Sequence, residues 1–395
     1  MSQDIDTMFS KEEIDFIQQH LHTDTSALFL KYGKDKESLI KQIEARQKSR
    51  TKLPEWYANP DVIFPPALSV EQSSSETTAR YKASLISDGT LIDATGGMGI
   101  DSYFFSKQCE AVIYIEQNET LVARAHYNFA VLKATNIRCV HQNSIDFLEK
   151  FPQKVDCIYL DPARRSADQK RVVSLPDCEP DVTKHLALLL KKARHILLKA
   201  SPLLDLKQTI QTLPFIHTVH VVAVDNECKE LLFEISDSIE SQNIIVKSIN
   251  LKSDNTHQYF EFDWAQEAHM PVSLSPPLRY IYEPNAAILK SGAFKSIAHS
   301  LNISKIAPHS HLYTSSELVL DFPGRSFALE TILKADLKTL REHLPTLKAN
   351  LTLRNFPATT DELRKKLKLK DGGDVYLLAT TLLNGDKRLL KCRKV

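Results

Sequence analysis

The chain has 395 residues, 43% of them hydrophobic, so it can bury a large core and form two or three domains. Its 50 Lys and Arg nearly balance its 49 Asp and Glu, which excludes a strongly basic nucleic-acid coat. Local charged patches are therefore the only charge signal to consider.

Membrane, export and metal sites are not expected. No apolar run reaches the roughly 18 residues of a membrane span, and the first residues, MSQDIDTMFSKEE, do not resemble a secretion signal. The six cysteines form no CxxC pair. His217 and His220 would fall on opposite faces of a strand, and His309 and His311 lack a third ligand. We expect a cytoplasmic protein without a metal.

Residues 1–75 predict a small helical domain and a Pro-rich linker. Ser10 and Glu13 form a capping box before IDFIQQHL, and KESLIKQIEARQK carries apolar residues at helical spacing. A continuous helix is excluded further on, because prolines remove backbone donors and restrain the residues before them. These prolines are Pro54, Pro60, Pro65 and Pro66.

From residue 76 to 240, β-branched runs alternate with amphipathic stretches, which predicts a parallel sheet with crossover helices. The last two runs, HTVHVVAV and KELLFEIS, are separated only by DNEC, which is too short for a helix and predicts an antiparallel hairpin. A nicotinamide-binding sheet would continue with another crossover. The earlier predicted strands are GTLIDAT, EAVIYIE, IRCVHQ, VDCIYLD and HILLKAS.

Beyond residue 240 the pattern is α+β. NIIVKSINL and HQYFEFDW are expected to pair as strands, and residues 361–395 predict a short basic helix followed by two strands. This last segment holds ten Lys and Arg against five acids. The surplus fits either a nucleic-acid contact or a solvated helix face.

The strongest local signal is LIDATGGMGIDSYFF, in which a strand ending at Asp93 runs through Thr95 into a glycine-rich turn and a helix. Gly96, Gly97 and Gly99 have no Cβ, so a ligand can approach the backbone, and the helix offers free N–H groups to a carboxylate. An ordinary turn is the alternative, but three glycines in four positions of a chain with only 10 favour a ligand loop. Asp93 is a candidate partner for a ligand ammonium.

Two further strand ends carry candidate nucleoside contacts. Glu116 can accept hydrogen bonds from both hydroxyls of a ribose. Nicotinamide-dependent enzymes use a carboxylate in the same way, but here Ser102 occupies the position at which their dinucleotide-binding motif has its third glycine. Asn143 and Ser144 follow the third strand. Asn143 can either read an adenine amino group or cap the next helix, and both roles are compatible.

The fourth strand runs into YLDPARR, where Pro162 ends the strand and Asp161 is the catalytic candidate. This end resembles that of class I methyltransferases with an Asp/Asn-Pro-Pro-aromatic signature, which methylate exocyclic amines of nucleobases. The resemblance implies that Asp161 and a proline carbonyl hold the amine. Ala163 replaces the second proline and Arg164 the aromatic, and a guanidinium can stack on a base or bind a phosphate.

Covalent carbon-5 chemistry is rejected. Uracil-5 RNA methyltransferases carry a similar Asp-Pro-Pro-Arg end but need a cysteine after the fifth strand, where this chain has Lys199-Ala200-Ser201-Pro202. Direct transfer to nitrogen or oxygen requires only positioning and proton removal by Asp161. Arg165 and Lys199 are expected to contact the substrate, although a solvated loop is the alternative for the arginines.

Several phrases together resemble the bacterial methyltransferase family that has a C-terminal THUMP-like domain. The resemblance implies a Rossmann-like α/β class I sheet with a terminal hairpin at 76–240, a ferredoxin-like α+β subdomain at 241–320 and a THUMP-like domain at 321–395. It also implies S-adenosylmethionine as cofactor and RNA as partner. The phrases are SSSETTARYK, DATGGMGIDS, LDPARR, FPGR and LRKKLKLKDGGDVYLLATTLL.

The sequence therefore favours a methyltransferase acting on RNA. A module that keeps the fold and binds nucleic acid without transferring methyl groups is the alternative, because the Asp-Pro-x-x signature is imperfect. A nicotinamide oxidoreductase is disfavoured by the hairpin ending.

Overall fold

The computed structural model describes residues 9–164, 174–238 and 243–395. The chain divides into two compact units, Met1–Ile216 with Leu232–Glu240, and His217–Leu231 with Ser241–Val395. The α-helices are α1 (Lys11–Gln19), α2 (Thr25–Tyr32), α3 (Glu37–Lys52), α4 (Pro54–Ala58), α5 (Ala67–Gln72), α6 (Glu76–Ser84), α7 (Ile100–Phe105), α8 (Glu119–Val131), α9 (Ser144–Lys150), α10 (Val182–Lys192), α11 (Leu206–Thr212), α12 (Trp264–Glu267), α13 (Ala286–Ser291), α14 (Ser296–Ser300), α15 (Leu337–His343) and α16 (Thr360–Leu367).

The strands follow the predicted alternation. They are β1 (Thr90–Asp93), β2 (Ala111–Glu116), β3 (Ile137–His141), β4 (Val155–Leu160), β5 (Ala163–Arg164), β6 (Cys178–Glu179), β7 (Ala193–Ala200), β8 (Ile216–Val224), β9 (Glu227–Ile235), β10 (Ile245–Leu251), β11 (His257–Asp263), β12 (Tyr280–Pro284), β13 (Ser304–Lys305), β14 (Tyr313–Ser315), β15 (Gly324–Lys334), β16 (Asn350–Arg354), β17 (Val375–Thr381) and β18 (Lys387–Lys394).

The N-terminal helices form as the sequence predicts. The Ser10 N–H donates to Glu13 Oε2 at 2.8 Å and the Glu13 N–H to Ser10 Oγ at 3.2 Å, which completes the capping box of α1. Pro54 occupies the first turn of α4, where its missing N–H costs nothing. The first three helices share a small apolar core of Ile17, Leu28, Leu39, Ile40 and Ile43.

The first unit holds a parallel sheet in the order β3-β2-β1-β4-β7. β1 pairs in parallel with both β2 and β4, and their residues are almost all buried. Parallel strands end at the same edge of a sheet, so the carboxyl ends of β1 to β4 meet there. We call this the carboxyl edge. The predicted Rossmann-like α/β fold is confirmed.

The terminal hairpin is also confirmed, with a tighter turn than the DNEC segment suggested. β8 and β9 are neighbours joined by Asp225 and Asn226, which have φ of 46° and 66°. Two consecutive left-handed residues are typical of the two-residue turn whose twist matches a hairpin, and Asp and Asn tolerate that conformation.

The second unit holds the order β9-β8-β10-β11 and a separate sheet, β13-β14-β12-β15-β18-β17-β16. β10 and β11 pair antiparallel as predicted. One apolar cluster of the seven-stranded sheet includes Leu340 of α15 and Leu363 of α16, and another includes Ile281 and Phe327. The basic C-terminal segment therefore folds as the expected helix and two strands.

We expect Gly324→Ala to destabilise the protein by about 3 kcal/mol. A Cβ at this position would lie 2.1 Å from the Glu283 carbonyl oxygen, so the pairing of β15 with β12 must shift. Gly385→Ala is the control, because its φ of +84° adds strain but the space around it is open, and it should cost only about 1 kcal/mol. Equal midpoints of thermal unfolding for the two variants would contradict the prediction.

Candidate active site

A cavity of about 300 Å³ lies at the carboxyl edge of the parallel sheet. It brings together side chains from the ends of four strands that are far apart in the sequence. The predicted residues that line it are Thr95, Gly97, Glu116, Asn143, Ser144 and Asp161.

The sequence reasoning did not assign seven of the lining residues, among them Gln117, Gln142, Glu179 and Pro180. Gln117 and Gln142 directly follow strand ends, so their place next to Glu116 and Asn143 was the available signal. Glu179 and Pro180 come from the connection between β4 and β7. No sequence pattern in that connection predicts that residues 179 and 180 come back to the cavity. They do so because β6 pairs with β5.

Gly97 is the glycine that faces the cavity. Its φ is +54°, and a Cβ built there meets nothing closer than the Thr95 carbonyl oxygen at 3.8 Å. Its N–H donates to Glu116 Oε2 at 3.0 Å, and its carbonyl accepts from the Tyr114 hydroxyl at 2.7 Å. Glu116 and Tyr114 therefore fix the backbone of the turn, while the space next to the Gly97 Cα remains open to a ligand.

The other two glycines are required by packing. A Cβ on Gly96 would lie 2.3 Å from the Tyr114 ring, and one on Gly99 would lie 2.6 Å from the Phe129 ring. Neither residue lines the cavity. Their predicted contact with a cofactor stays a prediction. Glycine is needed at both positions because the backbone packs closely against an aromatic ring.

Asp93 does not line the cavity. Its side chain is 1% exposed and accepts hydrogen bonds from the Ser102 hydroxyl and, at 3.1 Å, from the Thr95 N–H. Burial raises the pKa of Asp93 to about 7, against the effect of the Ser102 hydrogen bond. Its predicted role as partner of a ligand ammonium stays a prediction.

Glu116 and Asn143 each keep part of their hydrogen-bonding capacity for a ligand. Glu116 Oε1 accepts from the Asn118 N–H at 2.8 Å, and each carboxylate oxygen has a second lone pair. Asn143 caps α9, with its Oδ1 accepting from the N–H groups of Ile145 and Asp146. The amide nitrogen is thus the group that Asn143 retains to face a ligand.

Asp161 is held at its backbone and at its carboxylate. Its N–H donates to Thr95 Oγ1 at 2.6 Å, which ties the end of β4 to the loop after β1. Its Oδ2 is paired with the Lys199 ammonium. Lys199 does not itself line the cavity, so its predicted contact with substrate stays a prediction, and its observed partner is Asp161.

The remaining predicted residues follow Asp161 in the chain. Pro162 separates β4 from the short β5, and Arg164 pairs with Cys178 in the β5–β6 ladder. The Arg164 side chain and the whole of Arg165 lie outside the described residues. Their predicted contacts with the substrate stay predictions.

A buried ion pair lies in the same unit as this site. Lys82, fully buried, approaches Asp101 Oδ1 at 3.2 Å and donates to Ser74 Oγ at 3.0 Å. Asp101 Oδ2 accepts from the hydroxyls of Ser74 and Tyr159, at 2.8 and 2.7 Å. Although burial favours the neutral acid, the charges of Lys82 and Lys199 hold the pKa of Asp101 below its usual value.

The described ranges show neither a cluster of potential metal ligands nor a cysteine in the cavity lining. Residues 9–164, 174–238 and 243–395 contain no group of three His, Cys, Asp or Glu that could hold a metal. The cavity lining there includes no cysteine. In the same ranges no helix is long and apolar enough to cross a membrane.

Comparison with known proteins defines the family. A model of a ferredoxin-like domain matches residues 280–323, and a model of a THUMP-like domain matches residues 324–394. A solved structure from Porphyromonas gingivalis W83, described provisionally as a methyltransferase, is 34% identical, with a TM-score of 0.87 over 98% of this chain and 99% of that one. The chain belongs to the bacterial class I methyltransferase family with a C-terminal THUMP-like domain.

This chain is also similar, more distantly, to an uncharacterized RNA methyltransferase of Mycoplasma mobile. It is 24% identical over 97 residues, 25% of this chain. The match spans 27% of the length of that curated relative.

We expect Lys82→Met to destabilise the protein by about 3–5 kcal/mol, because it removes the ion-pair partner of the buried Asp101 carboxylate. The double variant Lys82→Met/Asp101→Asn should recover most of that loss. Lys41→Met, which breaks the exposed pair with Glu37, is the control and should cost less than about 1 kcal/mol. Urea unfolding measures all three, and a double variant no more stable than Lys82→Met would contradict the charge argument.

Proposed function

We propose that the chain is an S-adenosylmethionine-dependent methyltransferase that methylates a nitrogen or oxygen atom of RNA. The observation that carries the proposal is the shared cavity of Gly97, Glu116 and Asp161. A bare backbone turn after β1 and a carboxylate for ribose hydroxyls at the end of β2 share this cavity with a second carboxylate, which follows β4. This arrangement supports binding of a nucleoside-bearing cofactor next to an acceptor.

The residues present fit this cofactor. Gly97 offers open space above a left-handed turn, where a side chain would meet the ligand. Glu116 can accept from the ribose hydroxyls, and the Asn143 amide nitrogen can donate to a ring nitrogen of adenine. When bound, S-adenosylmethionine supplies an electrophilic methyl group on a sulfonium sulfur.

Asp161 would act on the acceptor. Its carboxylate lines the cavity, and Lys199 is the described residue that donates to it, through Oδ2. Oδ1 is then available to accept a hydrogen bond from the acceptor N–H or O–H, which orients the attacking lone pair. The same oxygen can take the proton that the acceptor loses as its new bond to carbon forms.

RNA is proposed as the substrate class on independent grounds. The Mycoplasma mobile relative is named an RNA methyltransferase, and the second unit matches a THUMP-like model. The Asp161-Pro162 pair matches the first half of the Asp/Asn-Pro-Pro-aromatic signature of enzymes that methylate nucleobase amines. We prefer RNA to a small-molecule acceptor for these reasons.

The first test is cofactor binding. Calorimetry with S-adenosylmethionine should detect binding to the wild-type chain and an affinity at least 100-fold lower for Gly97→Arg, because the new side chain would fill the cavity. Gly385→Arg is a matched control, since it also has positive φ but lies in the second unit. Its affinity should equal that of the wild type. Full binding by Gly97→Arg would refute the assigned loop.

The second test is turnover. We expect Asp161→Ala to lower methyl transfer to RNA from a deletion strain by about 10²- to 10⁴-fold, with cofactor affinity unchanged. Glu149→Ala, exposed on α9, should have no effect. Mass spectrometry of modified nucleosides measures the product. Cofactor binding without any product from the wild type would support the silent nucleic-acid-binding module instead.

A further inference from the structure

A second cavity, of about 400 Å³, lies within the second unit. Three lysines border it: Lys334 at the end of β15, Lys366 in α16 and Lys387 at the start of β18. Phe356, just after β16, lines it as well. We call this cavity the lysine groove.

The lining of the lysine groove holds more cations than acids, because Asp336 and Glu362 are its two carboxylates against three lysines and Arg388. Asp336 caps α15 by accepting from the Thr339 N–H at 2.8 Å. Glu362 closes the capping box of α16 by accepting from the Thr359 N–H at 2.8 Å. Each carboxylate is thus already engaged at a helix N-terminus.

The three lysines form no ion pair with the residues that the structure describes. In the described part of the chain, no carboxylate oxygen lies within 4 Å of the ammonium of Lys334, Lys366 or Lys387, although such pairs form nearby. Arg388, also in the lining, is paired with Asp386 at 2.6 Å. The groove therefore presents a net positive charge with unused donors, which attracts an anionic ligand.

The groove also has an aromatic and apolar side. Phe356 is partly buried against the apolar cluster beneath the sheet, and Pro357 and Ala358 continue the same wall. A fixed ring next to several cations is the combination that binds single-stranded nucleic acid, because bases stack on the ring while phosphates meet the lysines. An acidic peptide would use the cations but not the ring.

We propose that the lysine groove binds a single-stranded segment of RNA, with the backbone phosphates at Lys334, Lys366 and Lys387 and a base against Phe356. The choice of RNA as the nucleic acid rests on the proposed function. The binding itself requires neither cofactor nor methyl transfer, so the groove can be tested without turnover.

The test measures fluorescence anisotropy of a labelled eight-nucleotide oligouridylate with the full-length chain, between 50 and 200 mM salt. Lys366→Gln and Lys387→Gln should each weaken binding several-fold and reduce the slope of log affinity against log salt by about 0.7. Lys365→Gln is the matched control, because Lys365 is an exposed neighbour on α16 that does not line the groove. It should leave affinity and slope nearly unchanged.

Phe356→Leu separates stacking from charge. Leucine keeps the apolar packing but removes the ring, so we expect a loss of about 5- to 100-fold in affinity with the salt slope retained. A loss for Lys365→Gln equal to that for Lys366→Gln would overturn the groove in favour of diffuse attraction. Absence of binding at 50 mM salt, or no effect of Phe356→Leu, would also overturn it.

Two competitors identify the ligand. Oligothymidylate that binds more tightly than oligouridylate would overturn RNA, and polyglutamate that competes equally would overturn nucleic acid. Calorimetry with S-adenosylmethionine on the same samples keeps the two proposals apart. Lost oligonucleotide binding with intact cofactor binding counts against the groove alone, whereas lost cofactor binding in the wild type counts against the proposed function.

Discussion

The buried Asp101 carboxylate is the constraint on which the first unit depends. A charge with so little contact with water must be compensated, and here Lys82 supplies the opposite charge while Ser74 and Tyr159 supply hydrogen bonds. These partners come from α6, from the segment before it and from β4. A single carboxylate thus fixes the segments that precede the sheet against the strand that leads into Asp161.

The sheet could be predicted from sequence because its signals are local. Buried parallel strands appear as β-branched runs, and the Asp225-Asn226 turn is short enough to exclude a crossover helix. Strand ends of a parallel sheet share one edge, so Glu116, Asn143 and Asp161 could be expected together before any coordinates. Each of these inferences needs only residues that are near one another in the chain.

Long-range packing explains what the sequence did not show. The three glycines of the turn were all expected to make room for a ligand. In the structure only Gly97 of these three has open space beside it, whereas Gly96 and Gly99 pack against aromatic rings from β2 and α8. Asp93 was expected to face a ligand, and the sequence did not show that its carboxylate would also accept a hydrogen bond from Ser102 of the next helix. Lys82 shows no charge partner in sequence, because Asp101 is nineteen positions away and reaches it only in the folded chain.

The hydrogen bond from the Asp161 N–H to Thr95 has a consequence for how such enzymes diversify. The donor is the backbone N–H of residue 161, so this hydrogen bond does not depend on the side chain at that position. Substitution of aspartate by asparagine during evolution can therefore alter the chemistry offered to an acceptor while the peptide stays in place. Thr95 thus keeps the backbone at position 161 in place, while the side chain at that position determines the reactivity.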